Sequence, residues 1–248
     1  MKHITKDNLV FGTRAILETI ESGKEIDKLL IQKGLANDLI KQLIQTAKSH
    51  GVPFSTVPIE KLNRVTRKNH QGAIAFVSSI HYASLDNVIN ETYQQGKEPL
   101  LLILDRVTDV RNFGAVARTA ECAGVDAIII PSRGGAAINA DAMKTSAGAL
   151  NYIPICREDN LKNTIDYLKQ SGITVFACTE KASEPLYKCD FKKPAAIIMG
   201  SEEDGISPEY LKLADNQMFI PMTGNIDSLN VSVSAGIAIF EAVRQRSL

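Results

Sequence analysis

A chain of 248 residues can hold one large domain or two smaller ones. Its 44% hydrophobic and 23% charged residues are those of a soluble globular protein, and no apolar run nears the ~18 residues that cross a bilayer. The zero formal charge conceals an asymmetry, with 12 Lys+Arg against 7 Asp+Glu in residues 1–80 and 16 against 21 in residues 81–248.

In chain order, Gly12 to Ile20 reads as a short helix and Ile26 to Ile31 as a strand. Ala36 to His50 is an amphipathic helix stopped by Gly51 and Pro53, and Phe54–Val57 and Ala73–Val77 read as strands. We therefore expect an N-terminal α/β domain over residues 1–80. Its densest basic stretch, Lys61 to His70, suits a polyanion partner, although a solvated face is the simpler reading of charge alone. Residues 81–98 are polar and mixed, and read as a linker with some helix.

From 99 to 248 a second domain is expected, built of β-α repeats. The runs Leu100–Leu104, Ala127–Ile130, Ile153–Cys156, Ile173–Cys178, Ala195–Met199 and Met218–Ile220 are apolar without alternation. Such runs suit strands covered on both faces, as in a mostly parallel sheet. Helical patterns lie between most of them, at Gly114–Ala123 and Asp159–Gln170 for example, and Asn230 to Arg246 is a helix apolar on one side.

Met1–Asp7 lacks the apolar core of a secretion signal, so the cytoplasm is expected and no membrane partner. Cys122, Cys156, Cys178 and Cys189 form no C-x-x-C, and His3, His50, His70 and His81 are scattered, so no metal site is expected. Cys156 and Cys178 end apolar runs and read as buried reduced thiols.

Three polar segments follow apolar runs, where ligands bind in a parallel α/β sheet. Asp109 to Arg118 comes after the run at 100–104, with Asn112 in an N-cap position, Gly114 opening a helix and Arg118 on the same face. Read plainly, Asn112 is a cap and Arg118 an exposed partner of Glu121. Gly200-Ser-Glu-Glu-Asp-Gly205 comes after the run at 195–199. Its adjacent acids would repel phosphate, and Ser207 would cap a helix starting at Pro208. Thr223, Gly224, Asn225, Asp227 and Ser228 form a tight loop entering the last helix. G-x-x-x-x-G-K-[ST] and G-x-G-x-x-G are both absent, which argues against an NTPase and a dinucleotide enzyme.

These segments, in this order, resemble the motifs of the SpoU/TrmH family of RNA ribose 2′-O-methyltransferases, within the SPOUT superfamily. Asn112-Phe-Gly-Ala-Val-Ala-Arg118 resembles N-x-G-x-x-x-R, and Gly200-Ser-Glu-Glu-Asp-Gly205 resembles G-x-E-x-x-G. Ile220 to Val233 meets every fixed position of I-P-M-x-G-x-x-x-S-L-N-V-S-V, which is the specific one of the three. Phe11-Gly-Thr-Arg14 and Asn69-His-Gln-Gly72 look like the family's substrate-binding domain, so the resemblance covers nearly the whole chain. Val110 departs from the pattern, since relatives often carry proline there.

The resemblance implies a C-terminal trefoil knot and a homodimer joined through the knotted domain. It implies S-adenosylmethionine as cofactor, held near Thr179, Gly200, Ile220 and Leu229. Arg118 would be the base, with Asn112, Glu202, Ser228 and Asn230 positioning groups around it. A guanidinium gives up its proton reluctantly, so Arg118 could instead clamp the phosphate beside the target. Structured RNA would be captured by Arg14, Lys61, Arg64, Arg67, Lys68 and His70. The two-domain layout points to a guanosine of 23S ribosomal RNA. The alternatives are a transfer-RNA enzyme, a resistance methyltransferase, or a non-catalytic RNA-binding protein with the same fold.

Overall fold

The structure is a computed structural model that describes residues 9–226 and 228–247. Met1–Asp7, with His3, and Asp227 of the polar loop lie outside the described residues. The chain divides into two compact units, Met1–His81 with Ala137–Ala140, and Tyr82–Ala136 with Asp141–Leu248.

The first unit runs β1 (Leu9–Phe11), α1 (Thr13–Glu21), β2 (Ile26–Gln32), α2 (Asp38–Ser49), β3 (Phe54–Val57), α3 (Ile59–Val65) and β4 (Ala73–Val77). The strands pair in the order β1-β4-β2-β3, with β2 and β3 parallel and the other pairs antiparallel. Alternation along β2 splits the core between two faces. Leu29 and Ile31 pack with Ile16, Ile20, Ile40 and Leu43 of α1 and α2. Leu30 packs with Leu62 of α3 and Ile74. Asn37 caps α2, its Oδ1 accepting from the Ile40 N–H at 2.9 Å.

The second unit opens with α4 (Leu85–Gln94), inside the stretch read as a linker. Ser84 caps it, and Leu85 and Ile89 are buried in the core beside Ile103 and Ile165. Then come β5 (Leu100–Leu104), α5 (Val110–Cys122), β6 (Ala127–Pro131), α6 (Ala140–Thr145), β7 (Ile155–Glu158), α7 (Leu161–Gln170), β8 (Thr174–Cys178), β9 (Glu184–Pro185), β10 (Ala195–Met199), α8 (Pro208–Leu213), β11 (Asn216–Phe219) and α9 (Val231–Arg246).

Seven strands form one sheet in the order β7-β6-β5-β10-β8-β11-β9, and every described pairing is parallel. Every residue of the central pair β5 and β10 is buried, as their unbroken apolar character requires. Leu101, Ile103, Ile129, Ala196 and Ile198 meet α4 and α7 on one face. Toward the other, α9 packs on β10 and against α5. No described helix is long and apolar enough to cross a membrane.

Candidate active site

Parallel pairing aligns the carboxyl ends of β5, β10, β8 and β11 at one pole of the second unit. Loops leaving β8, β10 and β11 enclose a cavity of about 560 Å³ there, within the usual size of a small-molecule site. Thr179, Gly200, Ile220 and Leu229, the cofactor candidates, all line it. Glu202, Ser228 and Asn230 line it too, whereas Asn112 and Arg118 do not.

Asn112 joins through Asn230. The Asn230 carboxamide donates to Glu202 Oε1 at 2.6 Å and to Asn112 Oδ1 at 3.1 Å. Its own Oδ1 accepts from the Ser232 N–H at 2.9 Å and so caps α9. The cap fixes the direction of the amide, with oxygen toward the helix and nitrogen toward the other two side chains. Three strand-end segments, far apart in sequence, thus converge on one carboxamide.

Three local expectations are corrected. Asp109, not Asn112, caps α5, since its Oδ1 accepts from the N–H groups of Arg111 and Asn112 at 2.8 and 3.0 Å. Asn112 therefore sits in the first helical turn with its side chain free for Asn230. Gly114 does not open the helix, which begins at Val110. A Cβ on Gly114 would lie 2.7 Å from Thr145 Cβ and 3.0 Å from the Ala142 carbonyl, so the motif glycine is where α5 presses on α6. Ser207 holds the expected N-cap position of α8, but its hydroxyl donates to Asp105 Oδ2 at 2.7 Å and makes no capping bond.

Thr179 is buried, with its N–H donated to Met218 O at 2.8 Å and its hydroxyl to Glu180 Oε2 at 3.3 Å. Gly200 has no room for a side chain, since a Cβ would come 2.1 Å from the Gly205 carbonyl carbon. Ser228 is exposed. Arg118 is exposed and makes no ion pair with Glu121 among the described residues. Cys178 lines the cavity, and burial pushes its thiol up to about 12, so it stays protonated and inert at neutral pH. Burial does the same to Cys156. No described group of three or more His, Cys, Asp or Glu could hold a metal ion.

Sequence reasoning missed Glu180, Lys181, Glu203 and Met222, which also line the cavity. The available signal was position, since each sits within a few residues of a strand end. It also missed Asp105 and Arg106, which pair at 3.0 Å behind the loop after β10. The hydrogen bond to Asp105 holds the Arg106 guanidinium above its ordinary range.

In the first unit, Arg14 is exposed in the first turn of α1, Lys61 and Arg64 on α3, and Arg67 and Lys68 just after it. Lys68 Nζ stands 5.4 Å from the centre of the Phe11 ring. His70, expected among these cations, is buried instead, at 8% exposure. Its Nδ1 accepts from the Gly72 N–H at 3.1 Å, and its Nε2 meets Asn63 Oδ1 at 3.0 Å. Both ring nitrogens are thus engaged within the fold, Nδ1 as acceptor for the Gly72 N–H and Nε2 facing Asn63 Oδ1.

The family profile of the SpoU rRNA methylases matches residues 99–240. That of RNA 2′-O ribose methyltransferase substrate binding matches residues 9–83. The uncharacterized tRNA/rRNA methyltransferase slr0955 of Synechocystis is 35% identical over 241 residues, 96% of this chain. The match spans 63% of that relative's length. The putative TrmH family tRNA/rRNA methyltransferase YacO of Bacillus subtilis is 33% identical over 238 residues, 96% of either chain. An AdoMet-bound rRNA methyltransferase from Sinorhizobium meliloti superposes with a TM-score of 0.59 at 25% identity, over 95% of this chain and 86% of that one. One profile spans more than half of the sequence and the other most of the rest, so this chain belongs to the SpoU/TrmH family of RNA methyltransferases.

Proposed function

We propose that this protein transfers a methyl group from S-adenosylmethionine to a ribose 2′-hydroxyl of structured RNA, a guanosine of 23S ribosomal RNA. The observation that carries the reading is the junction of Asn112, Glu202 and Asn230 at a cavity lined by all four cofactor candidates.

The cavity suits the donor chemically. Met199, Ile220 and Leu229 offer apolar surface for an adenine beside the strand-end backbone, and Glu180, Glu202 and Glu203 suit a cationic sulfonium and ammonium. The bound donor supplies an electrophilic methyl group. Asn230 and Glu202 form a fixed polar wall at the mouth, so the ribose can meet the methyl in line without rearranging them. Ser228 and Asn112 present further polar groups to the sugar. Arg118 is exposed, and its planar fork of donors suits a clamp on the neighbouring phosphate better than a general base.

Arg118 lies outside its own chain's cavity, and the outer face of α9 carries Val233 and Phe240 about half exposed, with Ile237 between them. A second copy packed on that face would cover it and bring its Arg118 to the cavity. A homodimer belongs to this proposal for that reason. So does the trefoil knot, which is supported by the return of α9 from β11 across β10 to the segments preceding β5. Arg14, Lys61, Arg64, Arg67 and Lys68 of the first unit would hold RNA through its phosphates.

The test is mass spectrometry of RNA from a strain lacking the protein. We expect one ribose methyl missing from 23S ribosomal RNA and restored by the wild-type protein. A methyl missing from transfer RNA instead would move the substrate there. RNA methylation unchanged, together with no calorimetric heat on adding S-adenosylmethionine, would leave a binding protein.

A further inference from the structure

Ser201 to Gly205 forms the wall of the cavity that carries Glu202, yet it has no apolar side chain to anchor it. Its internal bonds close it into a small ring. Ser201 and Gly205 exchange backbone hydrogen bonds at 3.1 and 3.0 Å, and the Asp204 N–H donates to Ser201 Oγ at 3.1 Å. The ring is tied to the sheet from outside the cavity. Asp105, 1% exposed at the end of β5, accepts from the Ser207 N–H and hydroxyl, both at 2.7 Å. Arg106 lies over Asp105, donating from Nε to Oδ1 at 3.0 Å, and reaches into the ring. There Nη1 donates to Asp204 Oδ2 at 3.0 Å and Nη2 to the Gly205 carbonyl at 3.3 Å.

The backbone of Arg106 is left-handed, with φ of 56°. Glycine adopts that conformation without strain and arginine does not. The planar fork can bond Asp105, Asp204 and the Gly205 carbonyl together, which one lysine ammonium cannot match. We propose that Arg106 is a positioning residue for the methyl-donor site: it staples the ring 201–205 to the end of β5, and through Glu202 sets the place of Asn230. The proposal rests on the reading that the cavity takes S-adenosylmethionine.

Calorimetry of the full chain with S-adenosylmethionine, combined with steady-state kinetics, tests it. Arg106→Gly removes the fork and the strain together. Its donor affinity should fall about tenfold, the loss expected for a charged hydrogen-bonding group. KM for the donor should rise while kcat changes less, and thermal melting reads separately what the loss of the partner of Asp105 costs the fold. Arg106→Lys should recover part of the loss. Asp204→Asn, at a carboxylate 69% exposed and so no threat to folding, should weaken the donor about threefold and add little to Arg106→Gly. An Arg106→Gly protein that binds the donor as tightly as wild type overturns the proposal. If that variant does not fold, unchanged affinity in Asp204→Asn overturns it. Absence of heat with the wild-type protein would instead remove the donor reading itself.

Discussion

Asn230 performs two tasks with one carboxamide. Its oxygen starts α9 and its nitrogen gathers Glu202 and Asn112. Asn230→Asp separates them, since the aspartate keeps the cap but turns a second carboxylate oxygen toward Glu202. We expect turnover to fall about 100-fold, the cost of losing charge-assisted bonds and adding repulsion. The melting temperature should move by only a few degrees, because the cap survives. Methyl incorporation and thermal melting read the two effects separately. Much of this site was legible as residue types after apolar runs. What the sequence could not reveal was partnership. Asn112 read as a cap because Asp109, three residues earlier, is an equally good one, and only coordinates show which oxygen faces the amides. His70 read as a surface cation because its neighbours are cations, and no local pattern shows that Asn63 of α3 and the Gly72 N–H hold its ring.

Elements were legible in proportion to how completely they are buried. β5 and β10 are apolar throughout because both faces are covered, and their ends agree with the pattern at Leu100–Leu104 and Ala195–Met199. β1 and β9, of three and two residues, are too short to show a period, and α3 was hidden by its cations. α4 read only as a linker with some helix because polar residues dominate its ten positions, of which Leu85, Ile89 and Thr92 are the buried ones. Its contribution to the fold can be measured. Ile89 is 2% exposed, and Ile89→Ala should cost about 2–5 kcal/mol in urea denaturation, as for other deeply buried aliphatic truncations. A freely solvated linker would show almost none of that loss.

At the scale of the molecule, an α/β protein with a mostly parallel sheet was readable from the repeats, but the strand order was not. Pairing β5 with β10 brings Leu100 beside Ala195, and no local pattern encodes a partner so distant. If two copies share their sites, mixing Arg118→Ala protein with Asn230→Ala protein should restore activity to about one quarter of wild type, since half of randomly mixed dimers hold one complete site. No recovery in a methylation assay would place Arg118 with its own chain's cavity. At the opposite end of α9 from Asn230, Arg246 donates to the carbonyls of Glu98, Pro99, Phe191 and Lys193, and Gln245 bonds the Phe191 N–H and the Cys189 carbonyl. This rod of about 24 Å is therefore pinned at both poles of the sheet. It cannot slide or rotate about its axis without breaking one set of moorings. A disturbance at the base of β5 or β10, remote from any ligand, has a rigid lever through which to misplace the amide that organises the chemistry.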